Sequence, residues 1–176
     1  MKTKYLVLCG LFAALMAVCS WIAVPIGSVT YTLQTFAVFL ALMTLGGKWG
    51  SLSIFVYLCL GMVGLPVFSG FQGGFGAMFQ ATGGYLWGFL GCGLCFWVVT
   101  SLFGSRKRAM FAGSVAGLTI CYLCGTCWMV YFYLGGENLG AMLFAGTVPY
   151  LLPDAVKLSL AFLVSRRLKK LVPLAK

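Results

Sequence analysis

The chain has 176 residues, of which 62% are hydrophobic and 8% are charged, and it carries a formal net charge of +10. This composition excludes a soluble domain of 18.9 kDa, because too few polar side chains are available to cover its surface, and it predicts an integral membrane protein. With no histidine and only two acidic residues, the chain lacks the groups that most hydrolases, zinc enzymes and general bases need, so we expect neither an enzyme nor a bound cofactor or metal.

Six apolar stretches in the sequence are each predicted to form a membrane-spanning helix. A helical span needs about 20 apolar residues, so a chain of 176 residues has room for six of them joined by short loops. The second stretch is short, and the third begins almost directly after it. We therefore predict an all-α integral membrane fold with a single transmembrane domain over residues 1–176. The stretches are Tyr5–Val24, Thr32–Gly46, Trp49–Pro66, Gly83–Phe103, Ala109–Leu134 and Val148–Val164.

The basic residues fall almost entirely on one side of this six-helix arrangement, which explains the net charge without a nucleic-acid partner. Lysine and arginine are enriched in the cytoplasmic loops of membrane proteins. The pattern predicts that both termini are cytoplasmic, with eleven of the twelve basic residues on that side. Those eleven are Lys2, Lys4, Lys48, Arg106, Lys107, Arg108, Arg166, Arg167, Lys169, Lys170 and Lys176.

The first predicted helix carries a face of small residues. Cys9, Ala13 and Ala17 recur every four residues, with Gly10 and Ala14 beside them. Small residues at this spacing make a smooth helical face that another helix can approach closely. Two interpretations are open, since the face either packs against the protein's own helices or docks against another membrane subunit.

The loops on the non-cytoplasmic side contain no lysine or arginine and are rich in glycine, threonine and aromatic residues. Glycine lets a backbone approach a ligand closely, and interleaved phenylalanines supply apolar cover, so the longest of these loops is predicted to form a lid. The alternative is a flexible interfacial loop whose aromatic rings lie at headgroup depth. The loop after the first helix contains Pro25, Gly27 and the run Thr30–Thr35, and the predicted lid contains Leu65–Gly76, Phe79 and Ala81–Tyr85.

Cysteines cluster on the fourth and fifth predicted helices. Cys92 and Cys95 form a CxxC pair, while Cys121, Cys124 and Cys127 repeat that spacing on the next helix. Such spacing can serve disulfide exchange or bind a metal, so a membrane thiol oxidoreductase is one hypothesis. We favour a structural role, because these positions fall near the middle of the spans, where cysteine behaves as a small hydrophobic residue.

Two ionisable residues, Asp154 and Lys157, lie inside the last apolar stretch. A charge in that setting costs several kcal/mol unless it is paired, hydrated or bound to a ligand. Their three-residue spacing places them on one helical face, close to the outer end of the helix. Either they form an ion pair that only neutralises itself, or they offer one acceptor and one cation to a small, mostly apolar solute beneath the lid.

These residues closely resemble the BioY family, the biotin-binding S components of energy-coupling factor (ECF) transporters. The resemblance covers essentially the whole chain, and it is specific because several motifs occur together. It implies a six-helix fold with a high-affinity biotin site near the outer surface. The motifs are Thr32-Leu33-Gln34-Thr35; Gly61-x-x-Gly64-Leu65-Pro66-Val67-Phe68 with the glycine-rich loop and Thr82-Gly83-Gly84-Tyr85 after it; and Pro153-Asp154-x-x-Lys157.

The same resemblance implies how the protein works and with which partners. It implies a substrate-binding subunit in the plasma membrane of a prokaryotic cell, which captures biotin from outside and delivers it inward. The implied partners are a transmembrane coupling protein, contacted through Ala13 and Ala17, and two cytoplasmic ATPase subunits. Energy must come from elsewhere, because the chain contains no GxxxxGK[ST] phosphate loop. Two alternatives stay open at this point, uptake with such an ECF module and uptake by this protein alone.

Biotin has an apolar bicycle, a ureido group and a carboxylate, and the predicted site residues match these groups. Asp154 is expected to accept hydrogen bonds from the ureido N–H groups. Lys157 is expected to balance Asp154, to donate to a ligand oxygen or to pair with the carboxylate, and the sequence does not choose among these roles. The other predicted biotin-binding residues are Gln34, Thr32 and Thr82 as hydrogen-bond partners, Gly73 and Gly74 in the lid, and Tyr85 and Phe75 as walls.

Overall fold

A computed structural model describes residues 2–26, 29–133 and 139–171 of the chain. These residues form six α-helices and one two-stranded hairpin, which confirms the all-helical class. Gly27, Leu134 and Lys176, which entered the predictions above, lie outside the described residues. The elements are α1 (Lys2–Trp21), β1 (Ala23–Ile26), β2 (Val29–Thr32), α2 (Gln34–Leu45), α3 (Gly47–Met62), α4 (Gly83–Phe103), α5 (Lys107–Tyr133) and α6 (Leu139–Leu171), with short 3-10 turns at Ser69–Phe71 and Phe75–Phe79.

Four helices in the described part of the chain are long enough and apolar enough to cross a membrane. They are Thr3–Trp21, Gly83–Phe103, Lys107–Phe132 and Thr147–Lys170. With 12 residues in α2 and 16 in α3, these two helices extend about 18 Å and 24 Å, less than the roughly 30 Å of a bilayer's hydrocarbon core. That all six helices span the membrane therefore stays a prediction.

The α2 helix lies at the centre of the molecule. It contacts α1, α3, α4 and α6, and all of its residues except Phe36 are buried. A helix that is apolar on every side is buried by its neighbours, which explains why α2 shows no polar face in the sequence. The turn into α3 uses Gly46 at a φ of 83°. At Gly50 the two helices are so close that a Cβ atom would lie 2.7 Å from the Cα of Leu42.

The α4 and α5 helices pack closely along their length, and glycines make this possible. A Cβ atom on Gly88 would lie 2.9 Å from the Cα of Cys121, and one on Gly117 would lie 2.7 Å from the Sγ of Cys92. Small residues facing larger ones across an interface are typical of helix packing in membranes, where backbones approach closely. Cys92 and Cys121 therefore fill the space opposite glycines.

Replacing Gly117 with Ala is expected to lower the melting temperature of the purified protein. The added methyl group would meet both the Sγ atom and the carbonyl oxygen of Cys92, the latter at 3.0 Å, and overpacking of this kind costs about 1–3 kcal/mol. The matched control is Gly10→Ala in α1, where a Cβ atom has no neighbour within 4 Å. Equal melting temperatures for the two variants would contradict close packing at Gly117.

The segment between α1 and α2 forms an antiparallel hairpin, where a loop was predicted from the sequence. Ala23 pairs with Thr32, and Ile26 pairs with Val29. A backbone hydrogen bond from Leu33 to Ile22, with an N···O distance of 3.2 Å, continues the pairing to the base of the hairpin. Thr32 is thus the last residue of a strand and not, as predicted, the first residue of the second helix.

Candidate functional site

Asp154 and Lys157 form a buried ion pair on α6. The Lys157 Nζ donates to Asp154 Oδ1 at 2.7 Å. Both residues are buried, with Asp154 3% exposed and Lys157 8% exposed. The other carboxylate oxygen, Oδ2, accepts a hydrogen bond of 2.6 Å from the hydroxyl of Tyr122 on α5. Buried charges persist when they are paired and hydrogen-bonded, so this three-residue group is stable inside the bundle.

The sequence analysis did not identify Tyr122 as part of this site. Tyr122 is 32 residues from Asp154, and no spacing rule links positions on different helices. A weak signal was present, because a tyrosine buried in an apolar helix usually has a partner for its hydroxyl group. Only the packing of α5 against α6 shows that this partner is Asp154.

Two prolines in α6 explain how the hairpin is attached to this site. Pro153 has no N–H group, so the carbonyl of Pro149 loses its usual helical partner four residues later. The Tyr31 hydroxyl of β2 donates to that carbonyl at 3.3 Å. The rings of Tyr31 and Tyr150 are also in contact, with centroids 5.2 Å apart. The hairpin is thereby held on α6 about 7 Å along the helix from Asp154.

The α6 helix itself begins earlier than predicted. The sequence analysis placed its start at Val148, whereas the helix runs from Leu139 and passes through Pro149 and Pro153. Proline is tolerated inside membrane helices where other groups satisfy the freed carbonyl oxygen. Tyr31 provides such a donor for Pro149.

Gln34, a predicted ligand contact, lies in a hydrogen-bond network between helices. Its Nε2 donates to the Tyr57 hydroxyl at 2.9 Å, and Tyr57 donates to the Val67 carbonyl at 3.1 Å. The Ser20 hydroxyl of α1 also lies 2.6 Å from that carbonyl. This network ties α1, α2 and α3 to the start of the predicted lid. Thr32 is half-buried at the end of β2, immediately before Leu33 and α2.

The glycine-rich segment between α3 and α4 folds back on the end of α3. The N–H of Gly74 donates to the Gly61 carbonyl at 2.7 Å. A Cβ atom on Gly73 would collide with the carbonyl oxygen of Leu65, so this position admits only glycine without a backbone shift. Phe68 is buried against Gly61, whereas the other three phenylalanines of the segment, Phe71, Phe75 and Phe79, are exposed.

Aromatic side chains hold this segment on two sides. On α1, the Trp21 indole stacks on Phe71 with centroids 5.0 Å apart and donates to the Pro66 carbonyl at 2.8 Å. Phe71 has a φ of 56°, which is unfavourable for a bulky residue and depends on such support. On α5, the Trp128 indole donates to the Gln80 carbonyl at 3.1 Å.

The remaining predicted walls and hydrogen-bond partners lie at the start of α4 and in the segment before it. The Tyr85 hydroxyl is 3.2 Å from Thr126 Oγ1 on α5. Thr82 is exposed immediately before α4. Phe75 contacts Phe79 at 4.9 Å between ring centroids and remains largely exposed. The structure thus places Tyr85 against α5, whereas Phe75 lies on the exposed side of the segment.

The predicted docking residues Ala13 and Ala17 face the interior of the bundle. They are 0% and 6% exposed, whereas Gly10 and Ala14 on the neighbouring face are exposed. Ala13 and Ala17 therefore pack against the protein's own helices, which was one of the two interpretations of this small-residue face. Their contact with a partner subunit stays a prediction, and the small residues that a partner can reach on α1 are Gly10 and Ala14.

The clustered cysteines do not favour the thiol oxidoreductase alternative. The cysteines are unpaired, and Cys92 and Cys121 are buried at the α4–α5 interface. Within the described residues no group of three or more His, Cys, Asp or Glu side chains could hold a metal ion. Cys92 and Cys121 contribute to helix packing, whereas Cys124 is exposed.

Comparison with known proteins gives matches over nearly the whole chain. The sequence model of the BioY family matches residues 1–174. A Thermotoga maritima protein named "Biotin transporter BioY" is 40% identical over 172 residues, which cover 96% of this chain and 97% of that protein. A Pyrococcus horikoshii protein named "Probable biotin transporter BioY" is 39% identical over 170 residues, covering 96% and 98% of the two chains.

Solved structures also share the fold. The crystal structure of an S component for biotin from an ECF-type ABC transporter superposes with a TM-score of 0.85 at 24% identity, covering 96% of this chain and 92% of that one. The S component of a bacterial ECF transporter gives a TM-score of 0.63 at 16% identity, covering 97% and 98% of the two chains. At these identities the likeness establishes the arrangement of the helices.

Proposed function

This chain is a member of the BioY family, and from that premise we propose that it is the substrate-binding membrane subunit for biotin uptake. The observation that carries the proposal is the buried Asp154–Lys157 pair, held by Tyr122 beneath the hairpin. A charged group retained inside a membrane bundle is most often functional. The protein is a transporter component and not an enzyme, in agreement with the scarcity of acids and the absence of histidine.

The ligand chemistry follows from the hydrogen-bonding capacity that the ion pair leaves unused. A carboxylate has about four lone-pair sites and an ammonium group has three donors. In the described residues, Asp154 accepts one hydrogen bond at each oxygen, and Lys157 donates one to Asp154. Asp154 can therefore still accept from a ureido N–H, and Lys157 can still donate to a ligand oxygen.

The rest of the proposed pocket is built from the segments that surround this pair. We propose that Tyr85 and Thr32 contact the ligand from α4 and from the hairpin, and that the glycine-rich segment with Gly73 and Gly74 closes over it as a lid. Gln34 contributes by holding the start of that segment through Tyr57. Thr82 and Phe75 complete the proposed set at the outer rim.

We propose that all six helices belong to the membrane domain, with both termini on the cytoplasmic side of a prokaryotic plasma membrane. In support, Lys48 lies in the first turn of α3, next to the α2–α3 connection, and Arg106 to Arg108 lie where α4 passes into α5. The two connections fall on the same side in this topology, as the enrichment of cations in cytoplasmic loops requires. The hairpin and the lid then face outward together.

Energy for uptake is proposed to come from an ECF module, a transmembrane coupling protein with two cytoplasmic ATPase subunits. The S-component fold of the structural neighbours supports this assignment. On α1 the proposed docking face is the exposed side with Gly10 and Ala14. Ala13 and Ala17 support this face from behind, because their small side chains let α1 lie close to α2 and α3.

Thermal unfolding of the detergent-purified protein with biotin, thiamine or riboflavin tests the proposal. A ligand that binds only the native state stabilises it by about 2.7 kcal/mol at one hundred times its dissociation constant. We expect biotin alone to raise the melting temperature. A shift with another vitamin and none with biotin would retain the fold and exclude biotin as the ligand.

A further inference from the structure

A groove lies between the start of α5 and the end of α6, away from the hairpin and the Asp154–Lys157 pair. It has a volume of about 350 Å³ and is lined by Lys107, Arg108, Phe111 and Phe162. Arg166 lies beside it, with the guanidinium carbon 6.0 Å from the centroid of the Phe162 ring. The groove thus combines two aromatic rings with two lining cations, and a third cation lies next to one of the rings.

The positive charge at this groove has no counter-charge in the described part of the chain. The one salt bridge among the described residues joins Lys157 and Asp154, about 18 Å along α6 from Arg166. The only other acid in the sequence, Glu137, lies outside the described residues. Three cations close together repel one another, so the site favours an anion from outside the chain.

The cations and the aromatic residues are arranged at different depths. On α5, Phe111 follows Arg108 by three residues, and on α6, Phe162 precedes Arg166 by four, so each ring lies about one helical turn deeper than its cation. Phe111 is 58% exposed, which in a bilayer means exposure to lipid. A free phosphate would use only the cations, whereas an anionic phospholipid would use both layers.

We infer that this groove binds an anionic phospholipid of the cytoplasmic leaflet, with the phosphate among Lys107, Arg108 and Arg166 and an acyl chain along Phe111 and Phe162. The inference rests on the orientation given under the proposed function, which places this end of the molecule at the cytoplasmic surface. The lipid neutralises the cations and fills the space between α5 and α6. It anchors the same two helices that carry Tyr122 and Asp154 near their middles.

Lipid binding to the detergent-purified full-length chain tests this inference. Binding is measured by native mass spectrometry and stabilisation by thermal unfolding. The ligands are phosphatidylglycerol, phosphatidylcholine with the same acyl chains, and glycerol 3-phosphate. The groove variant is Lys107→Gln/Arg108→Gln, and the matched control is Arg167→Gln/Lys170→Gln. The control removes the same charge from exposed positions at the same end of the molecule that do not line the groove.

We expect the unmodified chain to bind phosphatidylglycerol in preference to phosphatidylcholine and to respond little to glycerol 3-phosphate. Each cation near an anionic lipid surface contributes roughly a fivefold gain in affinity, so the groove variant should bind phosphatidylglycerol about 25-fold more weakly. The control variant should lose less than about threefold, because Arg167 and Lys170 do not line the groove and exposed charges outside it are screened by salt.

Three results would overturn the inference. Equal losses in the two variants would mean diffuse surface charge, and equal stabilisation by glycerol 3-phosphate would mean a free-anion site. Unchanged phosphatidylglycerol binding in the groove variant would mean that the lipid binds elsewhere on the molecule. The biotin-induced thermal shift is recorded for all samples. Lipid selectivity without a biotin-induced thermal shift in the unmodified chain would refute the proposed function alone. A biotin-induced thermal shift without lipid selectivity would refute this inference alone.

Discussion

Asp154→Asn is expected to abolish the biotin-induced thermal shift and to lower the melting temperature of the ligand-free protein. The substitution leaves the Lys157 ammonium buried without its counter-charge, and breaking a buried ion pair in this way typically costs about 3–5 kcal/mol. It also replaces one of the two acceptor oxygens with an NH₂ group. Melting temperatures and isothermal titration calorimetry with biotin measure the two effects.

The Asp154→Leu/Lys157→Met double variant separates ligand binding from folding. Removing both charges together avoids an unpaired buried ion, so the double variant is expected to recover much of the stability that Asp154→Asn loses. It should nevertheless show no response to biotin, because neither the acceptor nor the cation remains. A double variant that binds biotin normally would mean that the pair serves only to neutralise itself.

Tyr122→Phe provides a graded member of the same series. It removes only the hydroxyl group that donates to Asp154 Oδ2, and it keeps the ring and the ion pair. An unsatisfied buried hydrogen-bonding group costs about 1–3 kcal/mol, so both biotin affinity and melting temperature should fall between those of the unmodified protein and Asp154→Asn. Unchanged affinity would show that Tyr122 does not position the carboxylate.

Gly73→Ala is expected to weaken biotin binding about 5- to 150-fold while the helices remain folded. The new Cβ atom would lie within 2.7 Å of the Leu65 carbonyl carbon and 3.0 Å from the Gly64 carbonyl oxygen, and these backbone atoms cannot rotate away. Overpacking costs about 1–3 kcal/mol, and here relief requires the proposed lid to shift. Titration with biotin gives the change in affinity.

The control for this variant is Gly76→Ala, three residues further along the same segment. A Cβ atom on Gly76 has no neighbour within 4 Å, so the substitution adds the same methyl group without a collision. We expect its biotin affinity and its melting temperature to match those of the unmodified chain. If Gly73→Ala bound biotin as well as Gly76→Ala does, the segment would not act as a lid over the ligand.

Several features could be predicted from the sequence because they depend on local spacing. Asp154 and Lys157 are separated by three positions on one helix, so the helical repeat alone brings their side chains together. The Lys157 Nζ is 2.7 Å from Asp154 Oδ1. The β1–β2 hairpin was missed although Gly27-Ser28 between two strand-like runs is a hairpin signal. The apolar run that continues from α1 obscured it.

The sequence by itself determined that this chain belongs in a membrane, that it is helical, and that its one intramembrane acid faces a cation. These properties follow from composition and from residues within one turn of each other. The tertiary structure decided the rest: that α2 is a buried central helix, that Tyr122 joins the ion pair and that Tyr31 reaches the Pro149 carbonyl. It also decided that Ala13 and Ala17 lie inside the bundle. Those contacts join residues far apart in the chain, so they arise from how the helices pack and have no signature in local spacing.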